Sequence, residues 1–324
     1  ANLSKANLYG ANLYGANLSK ADLSKANLSY ADISKADLSH ANLFIANLSG
    51  ASLVGANLSN TNLSKADLSY ANLSYANLSY ANLSNTNLYG ANLVGSNLSY
   101  ANLSNTNLYG ANLSGASLVE ASLVGANLSY VNLSGANLYG ANLVGANLSK
   151  ANLVGANLSK ADLSKANLSY VNLSGANLYG ANLFIANLSG ASLVGANLSN
   201  TNLSKADLSY ANLSKADLSY ANLSGASLVG ASLVGANLFK ANFNGVIGDM
   251  LFVFSMQLTT YPIAFTKDIL QIGCEQHNYQ QWKDFSDKDI LKMNGGCALQ
   301  FWKKYKEHIF TTIDLVLSND KNLS

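Results

Sequence analysis

From Ala1 to Gly245 the hydrophobic positions recur every five residues without an insertion, dividing the segment into 49 blocks typified by Ala1-Asn2-Leu3-Ser4-Lys5. The third residue is Leu in every block except Ile33 and Phe243, the first is nearly always Ala, and the second is Asn, Asp or Ser. A period of five suits neither regular element. At 100° per residue successive leucines would spiral around an α-helix, and in one long strand they would alternate between opposite faces. The chain must therefore bend once per block. The first and third residues share the inner side of a short extended segment, the second points outward, and the fourth and fifth turn the corner.

Internal duplications set the number of sides. Residues 41–70 recur at 181–210, a run from residue 126 recurs 40 residues on, and Ser84–Leu93 recurs at Ser104–Leu113. Those offsets are multiples of 20, as copying of whole four-block turns requires; a near-match of 116–128 to 226–238, offset by 110, dissents. Tandem A(N/D)LSX blocks are similar to the pentapeptide-repeat family. That resemblance implies an all-β solenoid, a right-handed quadrilateral β-helix. Over 1–245 it would have roughly 12 coils, and at about 4.8 Å per coil a length on the order of 58 Å.

Ala, Asn and Ser are poor strand formers, so stability is expected from stacked leucines, at about 2 kcal/mol each, and from Asn ladders between coils. Where the fourth residue is Val or Tyr the fifth is Gly, except at Val119-Glu120, which predicts two kinds of corner, with Gly supplying positive φ in one of them. Asn60, Asn85, Asn105 and Asn200 each precede an inward Thr, which suggests a local Asn–Thr hydrogen bond, although copying of blocks accounts for the pairing equally well.

Assigning blocks to four faces in rotation puts Tyr9, Tyr30, Tyr70, Tyr89, Tyr109, Tyr130, Tyr170 and Tyr210 on the second face. That is eight of the fifteen tyrosines in 1–245, twice an even share, and makes this wall a contact candidate. The alternative is that the rings merely shield the sheet. The third face carries Val54, Val94, Val154, Val194 and Val234 beside glycines, with Lys35 and Lys215 its lysines, and reads as a flat apolar strip. The first face holds Lys5, Lys25, Lys65, Lys165 and Lys205 against Asp22 and Asp162 and reads as solvated.

Residues 246–324 break the pattern and read as a small, mainly helical α+β capping subdomain. Leu251–Phe254 and Tyr261–Phe265 suggest short strands, Asn278 a cap for a helix through Trp282, Ser286 with Asp289 a capping box, and Cys297–Leu317 an amphipathic helix after Gly295-Gly296. The segment Asp268–His277, with Trp282, Phe285 and Ala298–Trp302, resembles a tail found on bacterial and phage pentapeptide-repeat proteins. Cys274 and His277 have ligand-like spacing, and Cys297 and His308 could complete a Cys2His2 zinc set, but the latter two are eleven apart and match no finger pattern, so both cysteines are expected in the core rather than on zinc.

Of the 324 residues 49% are hydrophobic and 11% charged, which excludes a disordered chain. No signal peptide, membrane span, P-loop, dinucleotide fingerprint or metalloprotease motif is visible, and two cysteines suit a reducing compartment. A cytoplasmic protein, or one built into a virion or filament, is expected. No catalytic, cofactor-binding or metal residue is assigned, and no cofactor. The leading expectation is a non-enzymatic structural or protein-interaction rod. Its partners would be protein, as a homo-oligomer or assembly neighbour, helped by an open first coil at Ala1. The alternative is a DNA-mimic binder of a type II topoisomerase, which some pentapeptide-repeat proteins are. Charge opposes it, because 1–245 holds eleven Lys against seven Asp and one Glu. Direct nucleic-acid binding is disfavoured because Arg is absent.

Overall fold

The computed structural model describes residues 1–248, 254–257, 261–265, 269–273 and 275–319. Parallel bridges join each second-position residue to the one 20 residues on, from Asn2 with Asp22 through Ser227 with Ile247. Four blocks therefore close one coil, and the pairing runs into the first residues after the last block. The result is a quadrilateral β-helix whose faces follow the assignment by rotation.

One block shows how its backbone donors are satisfied. Ala46 N–H donates to Leu43 O (2.9 Å) across the corner, Asn47 N–H to Ala26 O (2.9 Å) in the coil before, and Leu48 N–H to Asp67 O (2.7 Å) in the coil after. Gly50 N–H reaches Ser69 O (2.9 Å) in the next coil, and Ser49 N–H bonds the Oδ1 of its own Asn47 at 3.0 Å. The second-position side chain thus serves its own corner as an Asx turn, which explains the preference for Asn and Asp over other polar residues.

The expected amide ladders are present and have a direction. Asn62 Nδ2 donates to Asn42 Oδ1 and Asn42 Nδ2 to Asp22 Oδ1, each at 3.1 Å. Because the amide donates toward the N-terminus, an aspartate can accept a rung but cannot pass one on. Asp22, Asp37, Asp67, Asp162 and Asp217 accordingly each begin a run. Where Ser replaces Asn, its hydroxyl bonds a fourth-position serine of the preceding coil, as Ser52 does with Ser34 at 2.7 Å.

Inside, the first and third positions form one continuous Ala and Leu column from Ala21 to Val246, with the leucines of the first coil packed against it but half-exposed. The Asn–Thr corner bond is not formed. Thr61, Thr86 and Thr106 instead turn their hydroxyls inward to Leu38, Leu63 and Leu83 carbonyls at 2.8 to 2.9 Å, because the first position faces the core while the preceding Asn side chain stands in solvent.

The two-corner expectation is also corrected. Every fifth residue from Lys5 to Gly245 has φ between 54° and 67°, 28 of them non-glycine and 21 glycine. There is one kind of corner, and Gly is its unstrained occupant rather than its marker.

The C-terminal subdomain is an antiparallel meander of β1 (Phe254–Gln257), β2 (Pro262–Phe265), β3 (Ile269–Ile272) and β4 (Glu275–Asn278), followed by α1 (Tyr279–Asp284) and α2 (Asp287–Asn319). Leu251–Val253 of the first expected strand lie outside the described residues. Asn278 caps α1 in a reciprocal box with Gln281, and Ser286 pairs with Asp289 as its spacing predicts. The helix expected from Cys297 is the later part of α2, which breaks at Asn294 and Gly295, where φ is −155° and 63°. Trp282 locks α1 onto the sheet by donating its indole N–H to Leu270 O at 2.7 Å.

This subdomain closes the last coil. Gln276 Oε1 accepts from Leu238 N–H at 2.7 Å, and buried Gln271 donates to Ala241 O at 3.1 Å. Both backbone groups would be left unpaired by the end of the parallel ladder, so these two side chains do what another coil would do.

Replacing fully buried Leu128 by Ala should destabilise the central coils by about 2–5 kcal/mol, read as a lower urea midpoint. The ladders also predict an acid response. Asp22 and Asp37 are held below the usual carboxylate range, first by the backbone N–H of Ser24 and Ser39, then by those hydroxyls and by Asn42 and Asn57. A depressed native pKa gives stability that is complete above the unfolded value, about 3.9, and lost as pH falls through the native value. Thermal melting should hold level down to about pH 4 and decline below it, and Asp22→Asn should flatten part of that decline.

Candidate functional site

With the interior filled by Ala and Leu, functional variety is confined to the fourth and fifth positions. On the second face the structure brings Tyr70, Tyr89, Tyr109 and Tyr130 into one ladder. Ring centroids are 5.3 Å apart edge-on, then 5.5 Å stacked, then 5.3 Å tilted. Lys150 ends the row, its ammonium 5.1 Å from the Tyr130 ring centre and donating to the hydroxyl at 2.8 Å. That hydrogen bond pushes the lysine pKa above its ordinary value. Tyr9 and Tyr30 form a separate edge-on pair at 5.8 Å.

Tyr170 and Tyr210 stand outside the ladder, each ring lying across a glycine of the following coil. A Cβ on Gly190 would stand 2.7 Å from Tyr170 Cδ1, and one on Gly230 2.6 Å from Tyr210 Cδ1. Tyr30 and Tyr70 lie over Gly50 and Gly90 in the same way. Glycine here does more than tolerate positive φ: it lets a ring rest on the backbone.

The third-face valines are not gathered. Val54, Val94 and Val194 are half-buried and Val154 and Val234 exposed, and serine corners such as Ser74 and Ser174 intervene between neighbours. Tyr75 lies over Gly95 in their midst.

A pattern that the sequence reading missed concerns lysine. Lys35, Lys65, Lys160 and Lys205 each set an ammonium 5.5 to 5.9 Å from the ring centre of Tyr14, Phe44, Tyr139 or Phe184. The spacing is always 21 residues: an aromatic ring at a fourth position and a lysine at the fifth position one coil on. That offset was available in the sequence, but only once the coil length was fixed.

In the C-terminal subdomain the expectation of a core cysteine fails at Cys297. Cys297 is a free, exposed thiol just past the break in α2, and Cys274 lies outside the described residues. His277 packs edge-on against Trp282 and Phe285 at 5.2 and 4.7 Å, and burial holds its pKa down against the opposing pull of Glu275. His308 is exposed on α2. Among the described residues no cluster of His, Cys, Asp or Glu could hold a metal ion, and no helix is long and apolar enough to cross a membrane.

The model for pentapeptide repeats matches eight segments spanning 1–39 through 216–247. No curated protein matches the chain. Among solved structures it is similar to HetL, a pentapeptide repeat protein involved in heterocyst differentiation regulation from the cyanobacterium Nostoc. The two share 38% identity over 73% of this chain and 90% of HetL, with a TM-score of 0.31. QnrB1, a plasmid-mediated fluoroquinolone resistance protein, is 22% identical over 60% of this chain and 85% of its own, with a TM-score of 0.40. A pentapeptide repeat protein of the Arabidopsis thaliana thylakoid lumen is 36% identical over 29% of this chain and 68% of its own, with a TM-score of 0.25.

Two corners stand out for strain. Ile45 and Ile185 hold a β-branched side chain at φ of 59° and 57°, a conformation that such residues rarely adopt, and both remain exposed. Asn tolerates the same backbone, as at Asn60. Ile45→Asn should therefore raise stability by about 1 kcal/mol, measured as an upward shift of the urea midpoint.

Proposed function

The chain belongs to the pentapeptide-repeat family, and from that premise we propose that it is a non-enzymatic interaction rod that joins a second copy or an assembly neighbour through its tyrosine-lined second face. The family forms right-handed quadrilateral β-helices and generally serves as structural or interaction proteins. The observation that carries the reading is the exposed row of Tyr70, Tyr89, Tyr109 and Tyr130 ended by Lys150. Neighbouring rings hold one another in place, so docking on them costs little side-chain entropy, and each offers apolar area with a polar tip. Between Asp67 and Lys150 the only charged residue is Glu120, so little repulsion opposes contact there.

Mimicry of duplex DNA would need stripes of carboxylate facing solvent. Here the five aspartates that begin ladders accept amide rungs, and lysine outnumbers acid over 1–245. Charge thus favours the interaction rod.

Sedimentation velocity tests it. The intact chain should associate with rising concentration, and replacing Tyr89 and Tyr109 by Ser, the commonest fourth residue, should leave a folded monomer. A wild-type chain that stays monomeric at high concentration would overturn the reading.

A further inference from the structure

Residues 16–30 are identical to 156–170, and 41–70 to 181–210, while 31–40 and 171–180 differ. The differing stretches run over the third and fourth faces only. On the first and second faces identity is therefore unbroken through three successive coils: 21–30, 41–50 and 61–70 against 161–170, 181–190 and 201–210. It stops at both borders on the first face, where Ser4-Lys5 corresponds to Val144-Gly145 and Ser84-Asn85 to Ser224-Gly225. Segments separated in sequence thus form one duplicated surface in space.

The two surfaces also agree in geometry. Lys65 stands 5.9 Å from the Phe44 ring centre and Lys205 stands 5.9 Å from that of Phe184. Ile45 is 44% exposed and Ile185 45%. Their separation, 140 residues or seven coils of 20, puts them on the same faces about 34 Å apart.

Each patch centres on an exposed isoleucine in strained backbone, with a lysine one coil before it and another one coil after: Lys25 and Lys65 around Ile45, Lys165 and Lys205 around Ile185. None of these four lysines is in an ion pair among the described residues, and the acids of the same coils, Asp22 and Asp67 or Asp162 and Asp207, turn their carboxylates into their own corners to accept from the N–H of Ser24, Ser69, Ser164 and Ser209. The corner does not require Ile, since Gly, Asn or Lys fills the same position elsewhere with less backbone strain.

We propose that the first face, with the adjoining second, carries two equivalent docking sites, each binding a protein segment that presents an apolar side chain between carboxylates, so that one rod takes two copies of the same partner segment. Unpaired lysines on both sides of an apolar anchor select acid around a hydrophobic residue. An isoleucine centre and the absence of Arg favour a peptide over nucleic-acid phosphate. The proposal rests on the reading of the chain as an interaction rod, but its sites centre on Ile45 and Ile185 of the first face and meet the tyrosine ladder only at Tyr70.

The test is selection of a phage-displayed random-peptide library on the intact chain, followed by calorimetric titration of an enriched peptide. Enriched sequences should carry a large apolar residue flanked by Asp or Glu, and should bind two equivalents per chain. Ile45→Asn and Ile185→Asn should each leave one equivalent at unchanged affinity, and together none, with urea midpoints equal to or above wild type as proof of folding. Lys25→Glu with Lys165→Glu should weaken both sites about tenfold, as loss of one close charge pair per site predicts. A single equivalent, enriched peptides lacking acid, binding retained by the double Asn variant, or no enriched peptide would overturn the proposal. So would a random-sequence DNA duplex that displaces the peptide from both sites. Peptides lost only on replacing Tyr89 and Tyr109 would sink the two-site proposal and leave the tyrosine wall standing; a wild-type monomer that binds two peptides would do the reverse.

Discussion

A buried leucine every fifth residue can be kept on one side of the chain only if each block ends in a turn of fixed hand, and the left-handed backbone of the fifth residue supplies that turn. The corner costs little at glycine and more at Lys, Tyr or Ile, yet all are held there. The cost is local, whereas the return is shared: every corner that turns correctly sets another Ala and Leu pair into the column and aligns its backbone with the coils before and after. A single uncommon conformation, repeated, thus organises the whole β-helix.

The second position links that corner to the stack. Its side chain closes the turn within its own block and, as an amide, reaches back to the preceding coil. Asp performs the first task as well as Asn but not the second, so a run of amide rungs can begin at an aspartate but cannot pass through one. Serine does neither and bonds across coils through its hydroxyl instead. Since these duties use up the first three positions, the fourth and fifth are free to vary, and the tyrosine ladder, the lysine–ring pairs and the isoleucine corners all reside there.

That division shapes the surface. Rings at the fifth position lean onto the next coil, where they meet glycine, another ring or a lysine, and four of the rings at the fourth, Tyr14, Phe44, Tyr139 and Phe184, receive a lysine 21 residues on. Side chains remote in sequence become neighbours at fixed spacing, which is how one ladder of tyrosines and two equal isoleucine patches arise from blocks that look interchangeable. The subdomain at the other end performs a different task, since Gln271 and Gln276 satisfy the backbone that the last coil would leave open.

The sequence by itself determined the bend per block and the inner Leu column, because a strict period of five admits neither a helix nor a straight strand, and its duplications at multiples of 20 gave the four-block coil and hence the face on which each side chain stands. It also placed the caps at Asn278 and Ser286, which are local hydrogen-bond motifs. Only the tertiary structure decided that all corners share one conformation, since the preference of Gly for positive φ does not reveal what Lys or Tyr will accept when stacking compels it. It likewise decided that Thr61 bonds a core carbonyl, that the valines stay apart while the tyrosines meet, and that Cys297 stands in solvent. These outcomes depend on what the adjacent coil or helix presents within a few ångströms, and a pattern read along the chain carries that information only after the coil length has converted sequence offset into distance in space.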